Sequence, residues 1–154
     1  LHPGHTSTIR RIEGGMLSYH SDMDINTNPF ELGLDKFIDL DSSFNFIGKD
    51  ALINIKESGI RRKQVGLIIE CEQFNGPNTK KWDIFDGNEK IGHVTSAVYS
   101  PRLKQNIALA MVNISYTDIN THLKVKINTN LINAVVTEKP FFDPNKLIAK
   151  EKTN

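Results

Sequence analysis

Apolar and polar positions follow two different rules along this chain. From Ile60 onward they come in short, close-spaced runs: Val65-Gly66-Leu67-Ile68-Ile69, Trp82 to Phe85, Lys90 to Val98, Ile107 to Ile114, His122 to Asn128 and Leu131 to Glu138. Short runs of this kind, several of them alternating, predict strands. Asp86-Gly87-Asn88 separates the second run from the third, and an Asp-Gly pair is a strong hairpin signal. Thr129-Asn130 separates the last two and predicts a second hairpin. Five or six such strands predict a small antiparallel barrel or sandwich.

Before Ile60 the rule changes. Ile9, Ile12 and Met16 recur at helical spacing, which predicts a helix over Thr8 to Leu17 with Thr6, Ser7 or Thr8 as its cap. Gly14 and Gly15 weaken that helix, and their bare backbone allows a ligand or another chain segment to come close. Ser18 to Pro29 predicts an ordered loop, since its Asn and Asp side chains bond their own backbone. Phe30, Leu32 and Leu34 alternate, which predicts a strand within Phe30 to Leu40. Asp50 to Ser58 predicts a short amphipathic helix with Ala51, Leu52 and Ile55 inward and Gly59 as its stop. The tail after Pro144 is polar and Lys-rich, and is expected to fray.

The expected organisation is a lead-in segment (1–47), a linking helix (48–60), a β-domain (61–144) and a polar tail (145–154). A helix and a loop cannot bury a core alone, so the lead-in reads as part of a domain that lies upstream in the same chain. The opening Leu-His-Pro-Gly-His has no signal-peptide pattern, and the plainest reading is a piece of a longer protein.

Composition narrows the function classes. The 154 residues carry 19 Lys+Arg against 18 Asp+Glu, and a net charge of +1 removes the electrostatic argument for nucleic acid. One cysteine, Cys71, excludes an internal disulfide framework and a multi-cysteine zinc site. No apolar run approaches the roughly 20 residues of a membrane-spanning helix, so no membrane partner is expected. The expected setting is a reducing, cytoplasmic one.

Several residues are candidates for chemistry. Arg11 and Glu13 stand two apart beside the glycine pair, with Tyr19 shortly after. An arginine grips a carboxylate with two parallel bonds, and a tyrosine offers a ring face and a hydroxyl. The simpler alternative is a surface Arg–Glu arrangement with a half-buried tyrosine. His20, Asp22 and Asp24 suggest a metal but lack a second close His or Cys, so a solvated acidic loop is the expectation; the His2–His5 spacing is equally weak. Ser96 and His93, three apart in a strand, are expected on opposite faces and make no nucleophile pair. A lone Cys71 reads as a small core residue. Thr95 to Arg102 leaves a strand and turns at Pro101; it is either a decorated hairpin connection or a rim presenting Tyr99, Ser100 and Arg102 to an anionic or aromatic ligand.

The ordered set of short motifs resembles a known family. Arg11-Ile12-Glu13-Gly14-Gly15 with Tyr19, the Asp22-Met23-Asp24 loop, Pro29-Phe30-Glu31-Leu32-Gly33-Leu34, and Phe46-Ile47-Gly48-Lys49-Asp50-Ala51-Leu52 resemble the C-terminal half of the glycine-cleavage T-protein (aminomethyltransferase) family. Gly92-His93-Val94-Thr95-Ser96, Asn106 to Ala110 and Lys139-Pro140-Phe141-Phe142 continue the match to the end of the β-domain. There are departures: Gly14 stands where the family usually has Ala, and His20-Ser21 where it has Gly-Asn. Gly76-Pro77-Asn78 and Val98 to Ala108 look more like the dimethylsulfoniopropionate demethylase branch.

The resemblance implies an α+β lead-in segment followed by a small antiparallel β-barrel, and a tetrahydrofolate-dependent methyltransferase of which this is the C-terminal part. For the demethylase branch the expected reaction moves a methyl group from the sulfonium to tetrahydrofolate, giving 5-methyltetrahydrofolate and methylmercaptopropionate. A T-protein aminomethyltransferase, or a sarcosine- or dimethylglycine-type folate enzyme, is the alternative. The implied partners are folate, a small-molecule donor and the upstream part of the chain. The family's pterin-binding Glu and catalytic Asp lie upstream, so no catalytic residue is expected here. Arg11 and Tyr19 map onto folate-cavity positions, Glu13 onto an acid that holds Arg11 or the local turn, and Tyr99 and Arg102 onto the rim. A reading of another class is a non-catalytic barrel module.

Overall fold

The computed structural model describes residues 7–145 and 147–150. Six strands form the bulk of it: β1 (Arg62–Ile69), β2 (Trp82–Asp86), β3 (Glu89–Ser100), β4 (Gln105–Asn113), β5 (His122–Ile127) and β6 (Asn130–Thr137). They close into a barrel in the order β1-β4-β3-β2-β5-β6, every neighbouring pair antiparallel. Closure removes the open sheet edges that would otherwise pair with other chains. Val65, Leu67, Ile84, Val94, Val112, Val125 and Val136 fill the interior, as the period-two pattern requires. Gly92 sits where a Cβ would lie 2.3 Å from the Met111 carbonyl, so the β3–β4 contact there demands glycine. Gly87 takes the positive φ of the β2–β3 turn.

The lead-in lies on the barrel's outer surface. Helix α1 (Thr8–Glu13) packs Ile12 against Val98, Ile107 and Leu109, the outward side chains of β3 and β4. It stops at Glu13, four residues short of the expected Leu17, because the chain turns through Gly14 and Gly15, the latter at φ +65°. Ser7 is its cap but makes no side-chain cap bond; the alternative cap Thr6 lies outside the described residues. The strand expected in Phe30 to Leu40 does not form. Leu32 and Leu34 both donate to the Pro29 carbonyl, Gly33 turns back to Phe30, and Asp35–Phe37 is a 3₁₀ turn. The alternation there reflects one buried side chain, Leu32, in a series of turns. Helix α2 (Lys49–Ser58) runs between glycines in positive φ, Gly48 and Gly59. A short helix α3 (Leu147–Lys150) follows the barrel. Among the described residues no helix is long and apolar enough to cross a membrane.

Candidate functional site

The site grows from an irregularity in β3. Val94 pairs with Ala110 and Ser96 with Leu109, so Thr95 is an extra residue on its strand. A regular strand turns successive side chains to opposite faces; a bulge breaks that rule. Thr95 and Ser96 therefore both face outward, toward the lead-in. Asn78 satisfies the backbone groups around the bulge: its Oδ1 accepts from the Ala97 N–H at 2.6 Å, and its own N–H donates to the Ala97 carbonyl at 3.1 Å.

Asp22 meets these hydroxyls. Its Oδ1 accepts from Ser96 Oγ and Thr95 Oγ1, both at 2.6 Å. Thr95 also lies 3.0 Å from the Leu109 carbonyl, and its single proton serves one acceptor at a time. Asp22 Oδ2 accepts from Arg11 Nη1 at 2.6 Å and from the Ser18 N–H at 2.9 Å. Arg11 further donates from Nη1 to the Met16 carbonyl and from Nη2 to Ser96 Oγ. The Asp22 side chain has no solvent exposure and that of Arg11 has 14%. The expectation of a solvated acidic loop holds for His20 and Asp24, which are exposed, and is corrected for Asp22, a buried ion-pair partner. The expectation that His93 and Ser96 face opposite ways is corrected too. With Thr95 inserted, His93 pairs with Met111 and Ser96 with Leu109, both outward.

Arg11, Ser18, Ser21, Pro77, Asn78 and Ser96 are among the residues that line a hollow of about 680 Å³ between the lead-in and the barrel. This exceeds the lower bound of ordinary ligand pockets. Among the described residues, Arg11 Nε–H and one Nη2–H have no protein acceptor, so this lining residue of the hollow keeps donors to give.

The other expected residues are placed differently. Glu13 does not hold Arg11. It is buried, and Ser100 Oγ donates to its Oε1 at 2.5 Å. Tyr19 is exposed, sets its ring edge-on to His20, and is not among the residues lining the Arg11 hollow. Tyr99 lines an adjoining hollow of about 380 Å³ with Ile9, Phe74 and Pro77. Arg102 is exposed and lies over the Phe142 ring, 4.1 Å from its centroid.

Two shifted groups flank Asp22. Burial, reinforced by Lys81 and Lys90, holds the His93 imidazole below its usual pKa. Burial also lowers Lys139 to about 8, aided by Lys63 and opposed by Asp22; its Nζ donates to Gln64 Oε1 at 2.8 Å. Cys71 is exposed, not a core residue, with its thiol pushed up first by burial of part of its surface. Among the described residues no group of three or more His, Cys, Asp or Glu is placed to hold a metal; His2 and His5 lie outside them.

Residues 62–143 match the family described as the glycine cleavage T-protein C-terminal barrel domain. The chain belongs to this family. It is 37% identical over 135 residues to the aminomethyltransferase of Caldanaerobacter subterraneus subsp. tengcongensis, a match that covers 88% of this chain and 35% of that protein. It is 39% identical over 132 residues to the aminomethyltransferase of Prochlorococcus marinus, covering 86% and 35%. The crystal structure of the glycine cleavage system aminomethyltransferase T from Bartonella henselae shares the fold, with a TM-score of 0.80 at 23% identity over 88% of this chain and 38% of that one. The chain thus spans about a third of the length of these relatives.

Asp22, Thr95, Ser96 and Asn78 were named from the sequence only in other settings; that they gather around Arg11 is what sequence reasoning missed. An acid in a polar loop and a Thr-Ser pair in a strand carry no mark of burial. The one available signal was the mismatch in β3: Ile91, Val94 and Ala97 are three apart, which a regular strand cannot place on one face.

Proposed function

We propose that this chain is the C-terminal part of a tetrahydrofolate-dependent aminomethyltransferase of the T-protein type. The single observation that carries the reading is the Arg11 guanidinium, mostly buried, ion-paired to Asp22, lining a large hollow and still with N–H donors unpartnered by protein. A reduced folate carries a planar pterin and a carboxylate tail, and a forked guanidinium suits either. The names of the similar proteins support aminomethyl transfer. Domain division follows the same reading: 1–47 completes a folate-binding domain whose remainder lies upstream, 48–60 links, and 61–144 is the barrel. Phe37, Phe44 and Ile47 support it, exposed by 74%, 81% and 105% on the lead-in, where an adjoining part of the protein would cover them. Tyr19 stands next in sequence to Ser18 of the hollow wall and is assigned to folate as well. Glu13 serves by fixing the end of α1, and Tyr99 and Arg102 form an outer rim. The exposed Cys71 thiol suits a reducing, cytoplasmic setting.

A second reading, sulfonium demethylation, is favoured by Pro77 and Asn78. They belong to the stretch that resembles the demethylase branch, and they form part of the hollow's wall. The experiment is a transfer assay of the complete protein with tetrahydrofolate and, in parallel, the aminomethyl intermediate of glycine cleavage, dimethylsulfoniopropionate and sarcosine-type donors. Transfer from the glycine-cleavage intermediate is expected. Methyl transfer from the sulfonium alone selects the second reading. Absence of both transfer and folate binding leaves a non-catalytic barrel module.

A further inference from the structure

We propose that the barrel, besides walling the hollow, sets up ligand recognition through Asp22: Asp22 is a positioning residue, held by Thr95 and Ser96 and in turn holding Arg11 for the ligand in the hollow. This role presupposes the folate reading of that hollow.

The donors around Asp22 decide how it acts. An ionised carboxylate offers about four lone-pair directions. Ser96, Arg11, the Ser18 N–H and, when its proton is turned from the Leu109 carbonyl to the nearer Asp22, Thr95 supply four donors, two to each oxygen. With no exposure and no free acceptor direction, the Asp22 side chain has nothing to offer a ligand directly. What it controls is the guanidinium. Arg11 carries a long, rotamer-rich side chain, and ordering it on binding weakens affinity. Here it is already ordered, with Nη1 on Asp22 and Nη2 on Ser96. The remaining N–H groups are thereby aimed before any ligand arrives.

The bulge is what makes this possible. Without the extra residue in β3, Thr95 and Ser96 would point to opposite faces, and one hydroxyl would enter the barrel core. Asn78 occupies the backbone groups that the bulge leaves free, so the two hydroxyls stay turned outward. Ser96 Oγ donates to Asp22 and accepts from Arg11, and so closes a three-membered ring of side chains from two segments. This ring is the barrel's part in aiming Arg11, beside the stretch of hollow wall that Pro77 and Asn78 supply.

The test measures tetrahydrofolate affinity and steady-state kinetics in the complete protein. Asp22→Asn is expected to raise Kd and KM for tetrahydrofolate roughly tenfold or more while kcat falls much less, since an aimed donor contributes to binding. Thr95→Val with Ser96→Ala keeps the ion pair and loosens its aim, so a smaller rise of about three- to tenfold is expected. In an Arg11→Ala background, adding Asp22→Asn should change Kd by less than about twofold, because the two act as a unit. A merely structural Asp22 would lower the melting temperature and leave this non-additivity absent. Folate binding by the wild type with an unchanged Kd in Asp22→Asn overturns the positioning role alone. If Asp22→Asn does not fold, an unchanged Kd in the hydroxyl variant overturns it equally. Wild-type protein that binds no folate removes the folate reading first, and this role with it.

Discussion

The barrel and the lead-in are held by opposite means. Leu67, Ile84, Val94, Val112 and Val125 fill the barrel, and its strength is the removal of apolar surface from water. Among its described residues the segment up to residue 60 buries two hydrophobic side chains, Ile12 and Leu32, and three acids: Glu13, Asp22 and Glu31. Each acid reaches a barrel strand. Glu13 accepts from Ser100 and Asp22 from Thr95 and Ser96, all on β3, while Glu31 pairs with Arg62 on β1 at 2.9 Å. Buried polar groups are costly unless matched in geometry, so these contacts fix position more than they add stability. One region supplies a rigid support. The other supplies a precisely placed cation.

The sharpest way to break this contrast is to remove an acid. Asp22→Ala leaves Arg11 mostly buried without its ion partner and should destabilise the lead-in's docking by about 4 kcal/mol. Amide exchange should rise across residues 8–34 while β1 and β4 stay protected. Equal loss in both regions would mean that they unfold as one unit. The converse is Leu67→Ala, which empties a fully buried position of the barrel core at a cost of about 3 kcal/mol. Here a urea melt should report loss of the barrel and lead-in together, since the lead-in has little core of its own.

Legibility followed the same divide. Val65 to Ile69, the Asp86-Gly87 turn and the runs around Val94, Leu109 and Val125 announced the strands, because side-chain period and burial coincide there. The pattern left five or six strands and a barrel or a sandwich open; the family resemblance pointed to the barrel, and the structure has six strands in closed order. The lead-in defeated pattern reading for a physical reason: its order comes from long-range polar contacts. Asp22 lies 73 residues from Thr95 and 74 from Ser96 in sequence. Phe30, Leu32 and Leu34 alternate as in a strand, yet the Pro29 carbonyl and Gly33 turn the chain. Arg11 was legible as a gripping residue; its partner was not, because Glu13 is nearer in sequence and Asp22 nearer in space.

Between the two regions lies Lys139, whose amine sits on Gln64 at the barrel's outer face with a pKa near 8. Its folded value is below that of the unfolded chain, so between about pH 8 and 10.5 the unfolded state binds more protons. Stability should therefore rise as pH is raised through that window, by up to roughly 3 kcal/mol and less where solvent reaches the amine. Below pH 8 both states are protonated, and the full cost of burying the charge remains. Lys139→Met should flatten the rise between pH 8 and 10, measured as the difference from wild type in chemical denaturation. An unchanged slope would assign the rise to other groups.

The smallest effect separates two acids of the same segment. Ser100→Ala removes the hydroxyl that donates to Glu13 and that also accepts from the Leu103 N–H at 3.1 Å. Both partners lose a bond in a buried setting, which costs about 1–2 kcal/mol. Neither residue lines the Arg11 hollow. Ser100→Ala should thus lower the melting temperature by a few degrees and leave tetrahydrofolate affinity within about twofold of wild type, unlike the change at Asp22. A matched loss of affinity in both variants would mean that the overall stability of the lead-in sets binding, and that the local geometry at Asp22 has no separate part in it.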